Sequence, residues 1–186
     1  MEPARFARHG AVGAGLRRIF ERYFQMQHSD DSRRAPPMPP LDEIGLDNFA
    51  PYLMNRIMGR YNASMREELA TLGLSTPKMR ALAVLAIVDG IQIGQLAVYA
   101  VVEQSTLSRA LDALCAEGHI RREPDPEDSR ATRIFLTEQG RAAFDALWPT
   151  MAQSYAQMFR GIPADEHDAF VATLQKILAN VRKHDF

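Results

Sequence analysis

The stretch that decides the fold runs from Ile91 to Leu136 and reads IQIGQLAVYAVVEQSTLSRALDALCAEGHIRREPDPEDSRATRIFL. Apolar residues at helical spacing predict a short helix over Ile93–Tyr99 and a second helix over Gln104–Glu117. The four residues Ala100–Glu103 are a tight turn between them. Two helices joined by so short a turn are typical of a helix-turn-helix unit.

The second of these helices has one apolar side and one polar side. The apolar side, which we expect to be buried, consists of Leu107, Leu111 and Leu114. The polar side carries short side chains and an arginine, which can reach base edges and phosphates without filling the major groove. Together with the residue that begins the helix, these candidate DNA-binding residues are Gln104, Ser105, Thr106, Ser108 and Arg109. Alternatively, Arg109 is a solvated charge or the partner of Asp112 one turn later.

A β-hairpin is predicted directly after the second helix. Its strands are His119–Glu123 and Thr132–Leu136, and the polar loop Pro124–Ala131 joins them. A hairpin that follows a helix-turn-helix makes a winged helix. The strands carry three further arginines that are either phosphate contacts or solvated surface charges: Arg121, Arg122 and Arg133.

Long helices flank the winged helix. On its N-terminal side we predict a helix from Leu46 to Leu72, followed by a shorter one with Thr76 as N-cap and Pro77 at its first position. On its C-terminal side, Thr137 is a suitable N-cap for a helix that extends to about Gly161. A last helix begins with the acidic residues Asp165, Glu166 and Asp168. The apolar stripes of these helices exceed what one domain of this size can bury, which predicts a two-fold dimer interface.

The predicted fold is therefore mainly α with a small β-hairpin wing. Residues 76–136 form the winged helix-turn-helix, residues 46–72 and 138–186 form dimerisation helices, and together they make one domain over 46–186. Residues 1–45 are an appendage, with a helical pattern near 11–27 and a proline-rich linker over Arg33–Leu41. The acidic residues of this segment argue against a targeting peptide, and a true start at Met26 or Met38 is the remaining alternative.

In the order and spacing of its motifs, the chain from Asn48 onward resembles the MarR family of bacterial transcriptional regulators. The matching segments are Leu96-Ala97, Ser105 to Arg109, Asp128 to Arg130 and Leu136 to Gly140. In such regulators the second helix of the motif enters the major groove, and an arginine at the wing tip enters the minor groove. The resemblance assigns the wing role to Arg130, and Asp128 would hold that arginine through a charge-assisted pair. Alternatively, both residues simply cap a turn.

The resemblance also implies partners. The family dimerises, so two recognition helices about one DNA turn apart would read a palindromic site in double-stranded DNA as a homodimer. Similar regulators bind small, often aromatic, molecules between the dimerisation helices and the winged helix, and we therefore expect a repressor that a small effector releases. Four residues lie on segments that could line such a site, although Tyr and Met at helical spacing are more often core: Tyr52, Asn55, Arg56 and Met79.

Composition excludes several other classes of protein. With 22 basic and 23 acidic residues among 186, the chain has no overall positive field, so DNA binding must rest on local placement. A single cysteine excludes an internal disulfide framework and a cysteine-cluster zinc site, which favours the cytoplasm, and we expect Cys115 to be a small core residue. No apolar run is long enough to span a membrane, and the five histidines lack metal-ligand spacing.

No catalytic motif or cofactor fingerprint is present in the sequence, so we expect neither an enzyme nor a bound cofactor. The alternative function is a winged-helix module that binds only other proteins.

Overall fold

A computed structural model describes residues 38–181. The predicted helix near 11–27 and most of the proline-rich linker lie outside the described residues. The helices are α1 (Leu41–Ile44), α2 (Ala50–Thr71), α3 (Thr76–Leu85), α4 (Ile93–Ala100), α5 (Gln104–Ala116), α6 (Glu138–Met158) and α7 (Ala164–Val181), with a 3-10 turn at Leu46–Asn48. The strands are β1 (Ile91–Gln92), β2 (Ile120–Pro124) and β3 (Thr132–Leu136). Except for α1, these helices follow the sequence prediction closely.

The strands form one antiparallel sheet in the order β1-β3-β2. In the hairpin, Ile120 lies opposite Leu136 and Pro124 lies opposite Thr132. The predicted wing is therefore confirmed, and with it the winged-helix fold class. Strand β1 was not predicted, because two residues are too few to show an alternating pattern.

The main hydrophobic core joins helices α3, α4 and α5 to the sheet. The predicted buried side of α5 is confirmed, since Leu107, Leu111 and Leu114 are all fully buried. Leu96 of α4 and Ile134 of β3 belong to the same cluster. Each such side chain contributes roughly 1.5 to 3 kcal/mol through burial, so packing fixes α5 against the wing.

A second cluster connects the long helices to α3. Met65 and Leu69 of α2 pack with Met79 of α3 and Leu147 of α6. All four belong to the compact unit that extends from Arg60 onward, and the boundary with the preceding unit lies within α2. This cluster therefore joins the second half of α2 to the winged helix.

The N-terminal ends of two helices can be compared with the N-caps predicted from the sequence. Thr137 caps α6 as predicted, because its Oγ1 accepts a hydrogen bond of 3.0 Å from the backbone N–H of Gly140. The N-cap predicted at Thr76 is wrong by one residue. Ser75 has the extended backbone of an N-cap, and its Oγ accepts from the N–H of Lys78. Pro77 is then the second helical residue, where its missing N–H is equally harmless.

The last helix stands apart from both clusters. No residue of α7 is buried, and Phe170, Leu178 and Val181 are among its exposed apolar side chains. Helix α7 therefore presents an apolar face that the described part of the chain leaves uncovered.

Within residues 38–181, no helix combines the length and the hydropathy needed to cross a bilayer.

Candidate nucleic-acid interface

A carboxylate caps the start of helix α5. Glu103 is the N-cap, and its Oε2 accepts hydrogen bonds from the backbone N–H groups of Ser105 at 2.9 Å and Thr106 at 3.1 Å. The Ser105 hydroxyl donates to the same oxygen. These hydrogen bonds, that of the Ser105 hydroxyl first, lower the pKa of Glu103. The helix thus begins with a fixed negative charge, and the Ser105 hydroxyl offers an incoming group mainly its lone pairs.

The polar side of α5 faces outward. Gln104, Ser105, Thr106 and Arg109 are exposed, and Ser108 is half-buried. Asp112 does not pair with Arg109; its carboxylate instead holds Arg122 of β2 at 2.8 Å. The intrahelical alternative for Arg109 is therefore not realised. The DNA-binding role of these side chains stays a prediction.

One buried carboxylate organises the wing. Asp125 is only 4% exposed, and its Oδ2 accepts from Nε of Arg133 at 2.8 Å and from Nε2 of Gln92 at 2.9 Å. Its Oδ1 accepts from the backbone N–H groups of Glu127 at 2.9 Å and Asp128 at 3.3 Å. The hydrogen bonds from Gln92 and Arg133, with that of Glu127, hold the pKa of Asp125 far below its usual range. Asp125 therefore ties the wing loop to the edge strand β1 through Gln92 and to the central strand β3 through Arg133.

The predicted charge-assisted pair between Asp128 and Arg130 is not formed. Oδ1 of Asp128 accepts from the backbone N–H of Arg130 at 3.0 Å, which is the turn-capping arrangement that the sequence left open. The side chains of the two residues form no ion pair, and the carboxylate of the wing loop that does pair with an arginine is Asp125, with Arg133. A short aspartate reaches a backbone N–H two residues ahead more easily than a guanidinium that extends into solvent, because less side-chain entropy is lost.

The five arginines of the helix and wing fall into two groups. Arg121 pairs with Glu123 and lies over the ring of Phe135, at 4.4 Å from its centre. Arg122 and Arg133 have the acidic partners already named. Within residues 38–181, Arg109 and Arg130 form no ion pair. The two arginines predicted to reach bases therefore differ from the three possible phosphate contacts, whose charges are compensated within the protein.

Three residues that shape this surface were missed from the sequence: Glu103, Gln92 and Asp125. Glu103 stands directly before a predicted helix, so its capping position was detectable, although glutamate is not a usual N-cap. Asp125 is one of several acidic residues in a polar loop, and Gln92 lies 33 residues before it in the sequence. No local sequence pattern therefore predicts the hydrogen bond between Gln92 and Asp125.

Comparison with known proteins identifies the family to which this winged-helix architecture belongs. The sequence model of the MarR family matches residues 72–131, which span α3 to the wing loop. A crystal structure of a MarR-family transcriptional regulator from Silicibacter pomeroyi is 59% identical, covering 80% of this chain and 100% of that one, with a TM-score of 0.76. The chain belongs to the MarR family. It is therefore a transcriptional regulator of a DNA-binding family and not an enzyme.

More distant MarR-type relatives extend the comparison. The repressor IacR of Pseudomonas putida is 24% identical, with 77% of this chain and 86% of that protein covered. BpsR of Bordetella bronchiseptica, whose DNA binding is regulated by 6-hydroxynicotinic acid, has a TM-score of 0.61 at 23% identity, over 68% of this chain and 96% of that one. The likeness to BpsR shows a shared fold.

The candidate effector residues of this MarR-family chain lie in different surroundings. The guanidinium carbon of Arg56 lies 5.9 Å from the ring centre of Tyr52, and Asn55 between them is exposed. Met79 is 4% exposed and packs in the second hydrophobic cluster, which is the core alternative for a methionine at helical spacing. Their role toward a ligand stays a prediction.

Cys115 was expected in the core, and that expectation is wrong because its thiol is exposed on α5. The residue follows Leu114, which takes the buried position of that helical turn. In the described part of the chain, no three side chains of the metal-binding types come together.

Proposed function

We propose that this MarR-family regulator is a homodimeric repressor that binds a palindromic operator and is released by a small effector. The observation that carries the proposal is that each of the two elements that would face DNA has one exposed arginine without an internal ion pair. Arg109 on α5 and Arg130 at the wing tip lack internal ion pairs, while the other three arginines of this region have them. Guanidinium groups that are not held in an internal ion pair are available to bind bases and phosphates. The charge of Arg109 contributes to lowering the pKa of Glu103, but the two side chains form no ion pair.

In this proposal α5 lies in the major groove. Gln104, Ser105, Thr106, Ser108 and Arg109 meet base edges and the adjacent phosphates, and their exposure along one side of the helix supports that role. Arg130 enters the minor groove, whose negative potential favours an arginine. Asp128 shapes the turn that presents Arg130 by accepting its backbone N–H.

The apolar face of α7 supports dimerisation. Ile177, Leu178 and Val181 recur along the helix and are exposed by 37%, 63% and 66%. A contiguous apolar face of this kind is typical of a protein–protein contact, and a second copy would cover it isologously. Two recognition helices related by a two-fold axis would then contact half-sites about 34 Å apart.

Repression and effector release are supported by relatives. IacR is named a repressor, and 6-hydroxynicotinic acid, a small aromatic acid, regulates the DNA binding of BpsR. For the effector site we propose the neighbourhood of Tyr52, Asn55 and Arg56, because an aromatic ring beside a guanidinium suits an aromatic acid. Met79 is 4% exposed in the second hydrophobic cluster, so its burial leaves little surface for contact with a ligand. The working compartment would be the cytoplasm.

The test is a titration of the purified protein against duplex DNA from upstream of its own gene, at two salt concentrations and with an unrelated duplex as competitor. We expect specific binding of one dimer per site that weakens as salt rises, because phosphate contacts release counterions. Absence of specific binding to that duplex and to duplexes selected from a random pool, by a folded dimer, would overturn the proposal in favour of a module that binds only proteins.

A further inference from the structure

Among residues 38–181, three helices end in the same backbone arrangement, the Schellman motif. At the end of α2, the N–H of Gly73 donates to Ala70 and the N–H of Leu74 donates to Leu69. At the end of α5, Gly118 donates to Cys115 and the next N–H donates to Leu114. Both glycines have a positive φ, 66° and 75°, as the motif requires. Glycine adopts this left-handed conformation without steric cost.

Helix α4 ends in the same motif without glycine. Val101 donates to the carbonyl of Val98 at 3.2 Å, and Val102 donates to that of Ala97 at 3.1 Å. Val101 has φ 51° and ψ 49°, and it is the one non-glycine residue with positive φ among residues 38–181. A β-branched residue in this conformation is strained. Its side chain is 77% exposed, so burial does not offset the strain.

An arginine from another helix holds this strained turn. Nη1 of Arg80 on α3 donates to the carbonyl of Val101 at 2.9 Å and lies 3.4 Å from that of Ala100. Nη2 of the same guanidinium donates to Oδ1 of Asn62 on α2 at 3.3 Å. In the described part of the chain, no carboxylate pairs with Arg80. Its charge instead compensates the carbonyl end of α4, where a cation is favoured.

We propose that Arg80 is the positioning residue of the helix-turn-helix. It stabilises the left-handed Val101 turn, and through Asn62 it links the geometry of that turn to α2. Because the turn joins α4 to the recognition helix α5, a shift of α2 that breaks the Asn62 contact changes how α5 is presented to DNA. The consequence for DNA rests on the proposed function; the stabilisation of the turn does not.

A second arginine in the same unit provides the control. Arg141 donates to the carbonyl of Ala86, at the end of α3, at 3.0 Å. Ala86 has φ −64° and ψ −22°, which is ordinary helical backbone. Like Arg80→Ala, Arg141→Ala removes one positive charge and a hydrogen bond to a carbonyl at a helix end, but at a site without strain. Arg80→Ala also removes the contacts to Ala100 and Asn62.

The first arm of the test measures binding to the duplex that the wild-type protein selects. We expect Arg80→Ala to weaken binding by about 5- to 30-fold, and Asn62→Ala to weaken it less, while Arg141→Ala stays near wild type. Val101→Gly combined with Arg80→Ala should recover most of the lost affinity, since glycine needs no support in the left-handed conformation. A loss that the second substitution leaves unchanged would overturn the proposal, because Arg80 would then act as a plain DNA contact.

The second arm needs no DNA and uses thermal unfolding of the same full-length variants. Arg80→Ala should lower Tm more in the wild-type background than in the Val101→Gly background, and Arg141→Ala should lower it equally in both. Equal effects of Arg80→Ala in the two backgrounds would overturn the proposal. Should Arg80→Ala be unfolded, Arg80→Lys takes its place in both arms. A wild type that selects no duplex would count against the proposed function alone, since this arm would still decide the role of Arg80.

Discussion

Helix α5 and the wing are held in place by different physical means. Helix α5 is fixed by three fully buried leucines on one side, and its cap, Glu103, accepts hydrogen bonds from residues within the helix's own first turn, Ser105 and Thr106. The wing loop is fixed by a single polar group, the Asp125 carboxylate, which contacts Gln92 and Arg133 from two other strands. The helix depends on apolar packing with a local cap, and the wing on a network that tertiary pairing assembles.

This difference has a consequence for binding. Apolar packing tolerates changes in salt and pH, whereas a carboxylate network responds to protonation. A rigid helix beside an electrostatically held wing lets the two elements that we propose to face DNA be perturbed separately. Substitutions can therefore perturb the helix and the wing one at a time, and the expected effects decrease in the order Leu111, Arg130, Asp125 and Glu103.

The packing of α5 is broken most directly by Leu111→Ala. Leu111 is fully buried in the main core, and the cavity left behind should lower the free energy of unfolding by about 2 to 5 kcal/mol. Urea denaturation would measure this, with Ile87→Ala as control because Ile87 is 82% exposed and should change stability little. Equal stability of the two variants would show that packing does not hold the helix.

At the wing, Arg130→Ala should weaken operator binding by about 1 to 3 kcal/mol, because the side chain is expected to enter the minor groove. The dimer and its Tm should be unchanged, since Arg130 forms no ion pair with any described residue. Arg121→Ala is the matched control, since that charge is already paired with Glu123. An affinity equal to that of wild type would exclude the wing tip from DNA contact.

Asp125→Asn should loosen the wing without disturbing α5. It removes the charge that Arg133 pairs with, so we expect a lower Tm and a loss of operator affinity smaller than that of Arg130→Ala. Because the folded-state pKa of Asp125 lies below its ordinary value of 3.8, its stabilisation is fully present above that pH and is lost as pH falls below it.

The Tm difference between wild type and Asp125→Asn should accordingly be constant from pH 7 to about pH 5 and then shrink on further acidification. A difference that grows under acid would contradict the depressed pKa. Asp128→Asn, which keeps an oxygen acceptor for the N–H of Arg130, is the control and should show no such dependence.

The smallest effect is expected at the cap of α5. Glu103→Gln keeps an oxygen acceptor for Ser105 and Thr106 but removes a negative charge at the start of the proposed recognition helix. Binding to DNA should strengthen by about twofold to threefold at low salt and converge with wild type as salt screens the repulsion. Weaker binding at low salt would show that the carboxylate itself contacts a base or positions one that does.

The sequence predicted most of what local pattern controls. The two helices of the motif, the buried leucines of α5, the hairpin and the Thr137 cap all follow from spacing within a few residues. Two predictions made from local pattern were wrong. The Ser75 cap was misplaced by one residue because Ser75 and Thr76 are equally suitable in isolation, and Cys115 was placed in the core although its neighbour Leu114 takes that position.

The wing shows where local reasoning fails. Asp128 and Arg130 stand two residues apart and were expected to pair, yet the wing-loop carboxylate that forms an ion pair is Asp125, with Arg133 of β3. That choice depends on the strand register, which places Glu123 opposite Arg133 and brings the start of the loop beside it. The bond from Gln92 to Asp125 spans 33 residues and requires β1 to lie beside β3.

The winged helix and the family could be predicted from the sequence alone, because helical period, strand alternation and turn chemistry are properties of neighbouring residues. Which charged side chains form ion pairs, and which do not, depends on the tertiary structure. Three arginines of the helix and wing form ion pairs, with Asp112, Glu123 and Asp125. Within residues 38–181, Arg109 and Arg130 form none. The same holds for Arg80, whose support of the Val101 turn exists only when α2, α3 and α4 are packed. Ion pairing depends on distances between side chains, and folding alone sets those distances.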